Sequence, residues 1–145
     1  MCIRDRYEKD RSSFALILAD VDVFKQINDT CGHDTGDRIL KRVAALLHTT
    51  FRSTDYVCRI GGDEFCVIAQ ISDTAAEKYL SEFLRELTAR RVKNEHLPHV
   101  SVGYACFNPV LGSVEDAIKR ADRIIYHYKR KRKSEALTND DTVKS

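Results

Sequence analysis

The chain has 145 residues, 43% hydrophobic and 32% charged, with 2 Pro and 6 Gly. That length fits one ordinary domain, the apolar content is enough for a core, and a disordered or collagen-like chain is excluded. The formal net charge is +2, yet Lys129-Arg130-Lys131-Arg132-Lys133 is a run of five cations, so the remainder is net acidic.

Residues 1–13 are short, charged and without an apolar stretch, so they are expected to be a non-native or truncated segment rather than a secretory leader. The longest strictly apolar run, Phe14 to Ala19, has six residues. A membrane helix needs about 20, so none is expected. The run shows no helical alternation and reads as a strand buried on both faces. It ends at Asp20-Val21-Asp22, and Asp22 is a candidate N-cap for a short helix from Val23 to about Thr30. Gly32-His33-Asp34-Thr35-Gly36 reads as a loop. A second helix is expected from about Asp37 to Phe51, with Ile39, Leu40, Val43, Leu46, Leu47 and Phe51 on its apolar face.

Tyr56–Ile60 and Glu64–Ala69 are strand-like runs around Gly61-Gly62-Asp63. Gly-Gly between two strands signals a hairpin, because a tight turn needs positive φ. A third helix runs from Asp73 to about Arg91, and Val100–Phe107 is a further strand. Ser113-Val114-Glu115-Asp116 resembles a capping box opening the last helix. From Ser134 to residue 145 the chain is polar and expected to fray.

The order is β-α-α-β-β-α-β-α. It predicts an α+β sandwich, ferredoxin-like or palm-type, with helices flanking a central, mostly antiparallel sheet. The helical crossover after the first strand suggests that this strand lies beside one strand of the hairpin, in parallel. The five cysteines (Cys2, Cys31, Cys58, Cys66, Cys106) contain no CxxC pair, so neither a disulfide framework nor a zinc site is expected. Cys66 and Cys106 read as small buried hydrophobes, and the usage suits a reducing cytoplasm.

Asp20 closes a buried strand, and Asp63 and Glu64 sit at a hairpin tip that could lie beside it. Carboxylates gathered near a helix N-terminus suit Mg²⁺, which shares oxygen ligands with substrate phosphates. The N–H groups of Val23 and Phe24 would open the short helix as an anion site, and Lys25 adds a positive charge. Together these point to nucleoside triphosphate chemistry. The plainer alternative is that Asp20 and Asp22 cap a helix and Gly-Gly-Asp is only a turn.

Arg59-Ile60-Gly61-Gly62-Asp63-Glu64-Phe65 contains the five residues that name the GGDEF family of diguanylate cyclases. Asp20-Val21-Asp22-Val23-Phe24-Lys25-Gln26-Ile27-Asn28-Asp29 and Gly32-His33-Asp34-Thr35-Gly36-Asp37 resemble the family's first block. Val100-Ser101-Val102-Gly103 and Ala121 to Lys129 resemble its last strand and helix. The likeness covers residues 14–133. It implies condensation of two GTP to cyclic di-GMP with release of pyrophosphate, in a transient homodimer needing Mg²⁺ or Mn²⁺, two ions per active site. It implies Asp20, Asp63 and the Val21 carbonyl as metal ligands, and Glu64 beside them as a candidate base. Asn28 and Asp37 would read guanine, with His33 in the same nucleotide-binding block. Gly61 and Gly62 would let the backbone approach the α-phosphate, and Lys25 and Lys129 would contact phosphate. Arg52-Ser53-Thr54-Asp55 resembles the family's inhibitory site for the product. An upstream sensory domain is implied for the full-length protein.

Three departures stand out. The family's usual Asp-x-Leu-Thr-Gly-Leu-x-Asn-Arg segment before the first strand has no match here. The usual Lys-x-x-Gly-Arg-Asn reads Lys129 to Ser134, with Arg132 in place of glycine and Lys133 in place of arginine; lysine keeps the charge and loses the bidentate fork. Cys31 replaces an aromatic residue. An alternative reading is a silent domain that binds GTP or cyclic di-GMP; a weaker one is a class III-like cyclase or polymerase palm. The basic run at 129–133 reads as a solvated helix end rather than a nucleic-acid site. His48, His96, His99 and His127 show no metal-ligand spacing.

Overall fold

A continuous apolar run with no polar alternation can be satisfied only by burial on both faces, and Phe14–Val21 becomes the central strand β1. The computed structural model describes residues 14–93, 97–108 and 112–143; the expected N-terminal segment 1–13 lies outside them. The remaining elements are α1 (Phe24–Cys31), α2 (His33–Thr50), β2 (Tyr56–Arg59), β3 (Glu64–Ala69), α3 (Asp73–Val92), β4 (Val100–Phe107) and α4 (Val114–Val143). The four strands form one sheet in the order β2-β3-β1-β4.

Every pairing in this sheet is antiparallel. The expected parallel neighbour of β1 is not found. β3 inserts between β1 and β2, so the two strands joined by the helical crossover never touch, and β1 instead pairs β3 from Ala15↔Ala69 to Asp20↔Glu64. On the other side β1 pairs β4 from Phe14↔Phe107 to Val21↔Val100.

The period-2 geometry of β1 splits its side chains between two cores. Ile17, Ala19 and Val21 face a large cluster with Val43 and Leu47 of α2 and Phe83 of α3. Leu16 and Leu18 face a smaller cluster with Ala117, Ala121 and Ile125 of α4. α4 can lie close because β4 offers Gly103. A Cβ there would run into the carbonyl oxygen of Ala121. Among the described residues no helix is long and apolar enough to cross a membrane.

Two helix boundaries differ from expectation. The loop expected at 32–36 collapses to Gly32 alone, whose φ of 91° lets one residue turn the chain between α1 and α2. α2 therefore starts at His33, four residues before the predicted Asp37, and the Gly36 N–H already donates to the Gly32 carbonyl at 3.2 Å. α4 continues to Val143, past Ser134 where fraying was expected. Ser72 caps α3 by accepting from the Ala75 N–H at 3.2 Å, and Ser113 opens α4 by accepting from Asp116 at 3.1 Å.

The contact at Gly103 gives a stability test. Gly103→Ala forces α4 off the sheet against a rigid backbone atom, and overpacking of this kind costs about 1–3 kcal/mol. The urea midpoint of the variant is expected to fall; an unchanged midpoint would show that the helix does not approach β4 this closely.

Candidate active site

The sheet register delivers carboxylates to one end of β1 and β3. Asp20 is the penultimate residue of β1, directly opposite Glu64, the first residue of β3. The Val21 N–H donates to the Asp63 carbonyl at 3.0 Å, which ties the end of β1 to the turn of the hairpin. Asp20 is buried, with a side chain only 10% exposed, and its Oδ2 accepts from Lys129 Nζ of α4 at 2.5 Å. Its Oδ1 is buried with no hydrogen-bond partner.

These charges shift one another. Burial raises the pKa of Asp63, and the adjacent Asp20 carboxylate raises it further. Glu64 is raised by burial and then by Asp20, Asp122 and Asp63. Burial pulls the Lys129 ammonium down, but its bond to Asp20 and the field of Asp20, Asp22 and Asp63 outweigh that, and its pKa lies above the ordinary lysine value. Two carboxylates in contact and an unsatisfied buried oxygen form a site short of positive charge. That donor set, with the neighbouring Val21 carbonyl, fits a hard divalent cation of the Mg²⁺ class, which binds through one or two carboxylates and completes its shell elsewhere. Among the described residues no group of three or more His, Cys, Asp or Glu side chains forms a ready cage.

The signature hairpin closes differently from the sequence expectation. The Ile60 N–H donates to the Glu64 carbonyl at 3.0 Å, leaving Gly61, Gly62 and Asp63 in the loop. Gly32 is the glycine with positive φ among the described residues, so neither Gly61 nor Gly62 is required for a left-handed turn. Neither position is crowded. A Cβ at Gly62 would meet nothing within 4 Å, and one at Gly61 would stand 3.4 Å from Glu64 Oε2. Arg59 Nε braces the loop by donating to the Gly61 carbonyl at 2.9 Å.

Asp22 is not the N-cap. Val23 takes that position in the left-handed region, φ 52°, with no side-chain cap bond. For a β-branched residue this conformation is an outlier that costs on the order of 1–3 kcal/mol. The Asp22 side chain turns away from the helix. Its Oδ1 accepts from Ser101 Oγ at 2.8 Å and its Oδ2 from Arg132. No side chain caps the N–H groups that open α1.

Asn28 lies on α1 against α2. Gly36 permits this, since a Cβ there would overlap Asn28 Oδ1, and that oxygen is buried without a hydrogen-bond partner. Asp37 is exposed one turn away and lines a cavity of about 450 Å³ with Leu40, Lys41, Val57, Arg59 and Phe65. Lys25 and His33 are exposed, on α1 and at the start of α2. A second cavity of about 550 Å³ is predominantly cationic, with Arg91, Lys129, Arg132 and Lys133 on its wall against the single acid Asp22, and His99 and Val23 beside them. Arg91 and His99 were not singled out in the sequence as site residues; no spacing links them, because α3 and the start of β4 meet only in the fold. Arg91 Nη1 lies 2.9 Å from His99 Nδ1, and burial with the flanking Arg91 and Arg132 holds His99 below the usual imidazole pKa.

Arg52 and Asp55 lie apart from this cluster, at the end of α2. They close on each other: Asp55 Oδ2 accepts from the Arg52 N–H at 2.8 Å, and Oδ1 from Arg52 Nη2 at 2.9 Å. Arg52 Nη2 also donates to the Gln70 carbonyl at 3.3 Å. The Asp55 side chain is 1% exposed and that of Arg52 45%, so the guanidinium is the accessible member of the pair.

Comparison with known proteins fits this arrangement. The family described as diguanylate cyclase, GGDEF domain, matches residues 3–135, starting within the segment expected to lie outside the domain. Probable diguanylate cyclase DgcC of Escherichia coli K12 is 36% identical over 131 residues, covering 87% of this chain and 35% of DgcC. Diguanylate cyclase DosC of the same organism is 37% identical over 122 residues, covering 81% of this chain and 26% of DosC. The chain thus spans about a third or less of these curated relatives. Among solved structures, the GGDEF domain of DgcB from Caulobacter crescentus in complex with c-di-GMP superposes with a TM-score of 0.72 at 30% identity, covering 88% of this chain and 77% of that one. Diguanylate cyclase SiaD from Pseudomonas aeruginosa, in complex with its activator SiaC, gives 0.73 at 32% identity, covering 88% and 50%. With the family matching most of the chain and these relatives agreeing in sequence and fold, the chain belongs to the GGDEF domain family of diguanylate cyclases.

Proposed function

We propose that this domain is a diguanylate cyclase subunit that joins two GTP molecules into cyclic di-GMP and releases two pyrophosphates. The observation that carries this reading is the buried, unpartnered Asp20 Oδ1 beside Asp63, a donor set that fits a divalent cation. Asp20, Asp63 and the Val21 carbonyl would hold Mg²⁺ or Mn²⁺, two ions per site, which when bound supply positive charge to the phosphoryl oxygens.

The remaining roles belong to the chain itself. The N–H groups of the N-cap Val23 and of Phe24, with Lys25 and Lys129, cradle the triphosphate beside the cavity that Val23 and Lys129 line. Gly61 and Gly62 leave space for the α-phosphate. Glu64, whose raised pKa makes it a stronger base, accepts the proton of the attacking 3′-hydroxyl. Asn28 and Asp37 face the base, where the carboxylate accepts from the guanine N1 and N2 protons, and His33 borders them. One chain holds one GTP, so two chains must meet with each 3′-hydroxyl against the other's α-phosphorus. An upstream sensory domain would govern that meeting in the full-length protein. Arg52 offers an exposed fork to a phosphate or guanine edge of the product, and Asp55 joins it once released from its own ion pair.

A second reading is a silent receptor for GTP or cyclic di-GMP. It is favoured by the pairing of Lys129 with Asp20 and of Arg132 with Asp22, which occupies two cations of the phosphate end. Incubation with GTP and Mg²⁺ and chromatography of the products separates the two. Cyclic di-GMP, formed at a rate per subunit that rises with protein concentration, is expected of the cyclase. Bound but unconverted GTP would establish the receptor.

Three variants test the assignments. Asp63→Asn removes one of two like charges in contact, so turnover should vanish while the denaturation midpoint of the ligand-free protein rises; retained turnover would remove Asp63 from the site. Asn28→Ala should reduce the preference for GTP over ATP by roughly tenfold to a hundredfold, the equivalent of a lost buried hydrogen bond of about 1–3 kcal/mol. An unchanged ratio of kcat/KM values would exclude Asn28 from base reading. Arg52→Ala should abolish binding of added cyclic di-GMP in calorimetry while sparing turnover at low product, and equal affinities would sink the inhibitory site.

A further inference from the structure

Cys58 and Cys66 are seven residues of intervening chain apart, a spacing with no meaning in sequence. In the sheet they are direct partners: Cys58 of β2 stands opposite Cys66 of β3 in the antiparallel register. Both side chains lie on the face of the sheet that packs toward α4, Cys66 inside the smaller core and Cys58 at its margin. Cys58 lies close enough to Cys66 to raise that thiol's pKa alongside burial. Residues directly opposed in an antiparallel ladder have Cα atoms about 4.5–5.5 Å apart, inside the range of about 4.4–6.8 Å that a disulfide spans. The segment they bracket is Arg59 to Phe65, the loop carrying Asp63 and Glu64.

We propose that Cys58 and Cys66 form a reversible disulfide with low-molecular-weight disulfides of the glutathione class, stapling the signature hairpin at its base. Cys58 is the entry point because it is partly exposed while Cys66 is buried. The Cys58 thiolate attacks the small disulfide, forming a mixed disulfide and expelling one small thiolate. Cys66, its thiol pushed up to about 12 by burial and by Cys58, then loses its proton and attacks the Cys58 sulfur, expelling the second small thiolate. Two protein thiols and one small disulfide give one protein disulfide and two small thiols. The other described cysteines lack such a partner arrangement in the sheet: Cys31 ends α1, and Cys106 stands opposite Ala15. The staple fixes the strand spacing immediately behind Asp63 and Glu64, so oxidation state sets the geometry of the turn.

The full chain is treated with oxidised glutathione, free thiols are alkylated after denaturation, and disulfide-linked peptides are mapped. The expected product has lost two hydrogens and joins the Cys58 and Cys66 peptides within one molecule; Cys31 gives only a mixed disulfide. Recovery of Cys58 and Cys66 as two separately alkylated residues, or of Cys58 joined to a different cysteine, would overturn the proposal. Its functional half rests on the cyclase reading. GTP turnover of the oxidised protein should fall at least about tenfold, as displaced reacting groups do, and return on reduction with dithiothreitol. Cys58→Ser should turn over equally before and after oxidant. Unchanged turnover by fully cross-linked protein would refute control through the hairpin, whereas a reduced protein that makes no cyclic di-GMP refutes the cyclase reading and leaves the mapped disulfide standing.

Discussion

At the end of β1, Asp20 is held between the carboxylate of Asp63 and the ammonium of Lys129, with one oxygen satisfied and the other not. Placing two acids together in a partly buried corner is unfavourable in itself. The fold enforces it from three directions. The β1–β3 register sets Asp20 opposite Glu64, the Val21-to-Asp63 backbone bond draws the turn inward, and α4 brings Lys129 across the sheet as counterweight. The chain leaves β1 through Asp22, whose side chain is held by Ser101, and through Val23 in the left-handed region.

The supporting structure is correspondingly stiff. β1 is buried on both faces and paired on both edges, so the atoms that place Asp20 have little freedom. The close seating of α4 on Gly103 gives Lys129 a fixed origin. Arg132, where the family usually has glycine, adds a second tie between α4 and the β1 exit through Asp22. At the phosphate end, two cations of the helix that reaches over the site, Lys129 and Arg132, each hold an acid from the β1 exit.

Much of this was legible in the residues. The six-residue apolar run announces a doubly buried strand, helical periodicity in 39–51 marks α2, and the nearness of Asp20, Asp63 and Glu64 is readable because they sit where strands end. Strand adjacency was not legible: the crossover suggested a parallel neighbour, and only the insertion of β3 beside β1 settles the matter. Asp22 looked like a cap because Asp before a helix usually is one, but Ser101, 79 residues away, and Arg132, 110 residues away, compete for it. The Gly-Gly pair suggests positive φ, whereas among the described residues the glycine with positive φ is Gly32, between α1 and α2. Arg91, His99 and the Cys58–Cys66 pairing are products of tertiary register and leave no local pattern.

The contact between Asn28 and Gly36 carries a consequence for how this domain tolerates change. The amide of Asn28 rests where a methyl group of any other residue at 36 would have to stand. The position of a polar group on one helix is thus written as an omission on the next. Enlarging residue 36 by a single carbon evicts the amide from its seat and should imitate the loss of Asn28 itself, so the two positions behave as one genetic unit although only one of them carries a functional group.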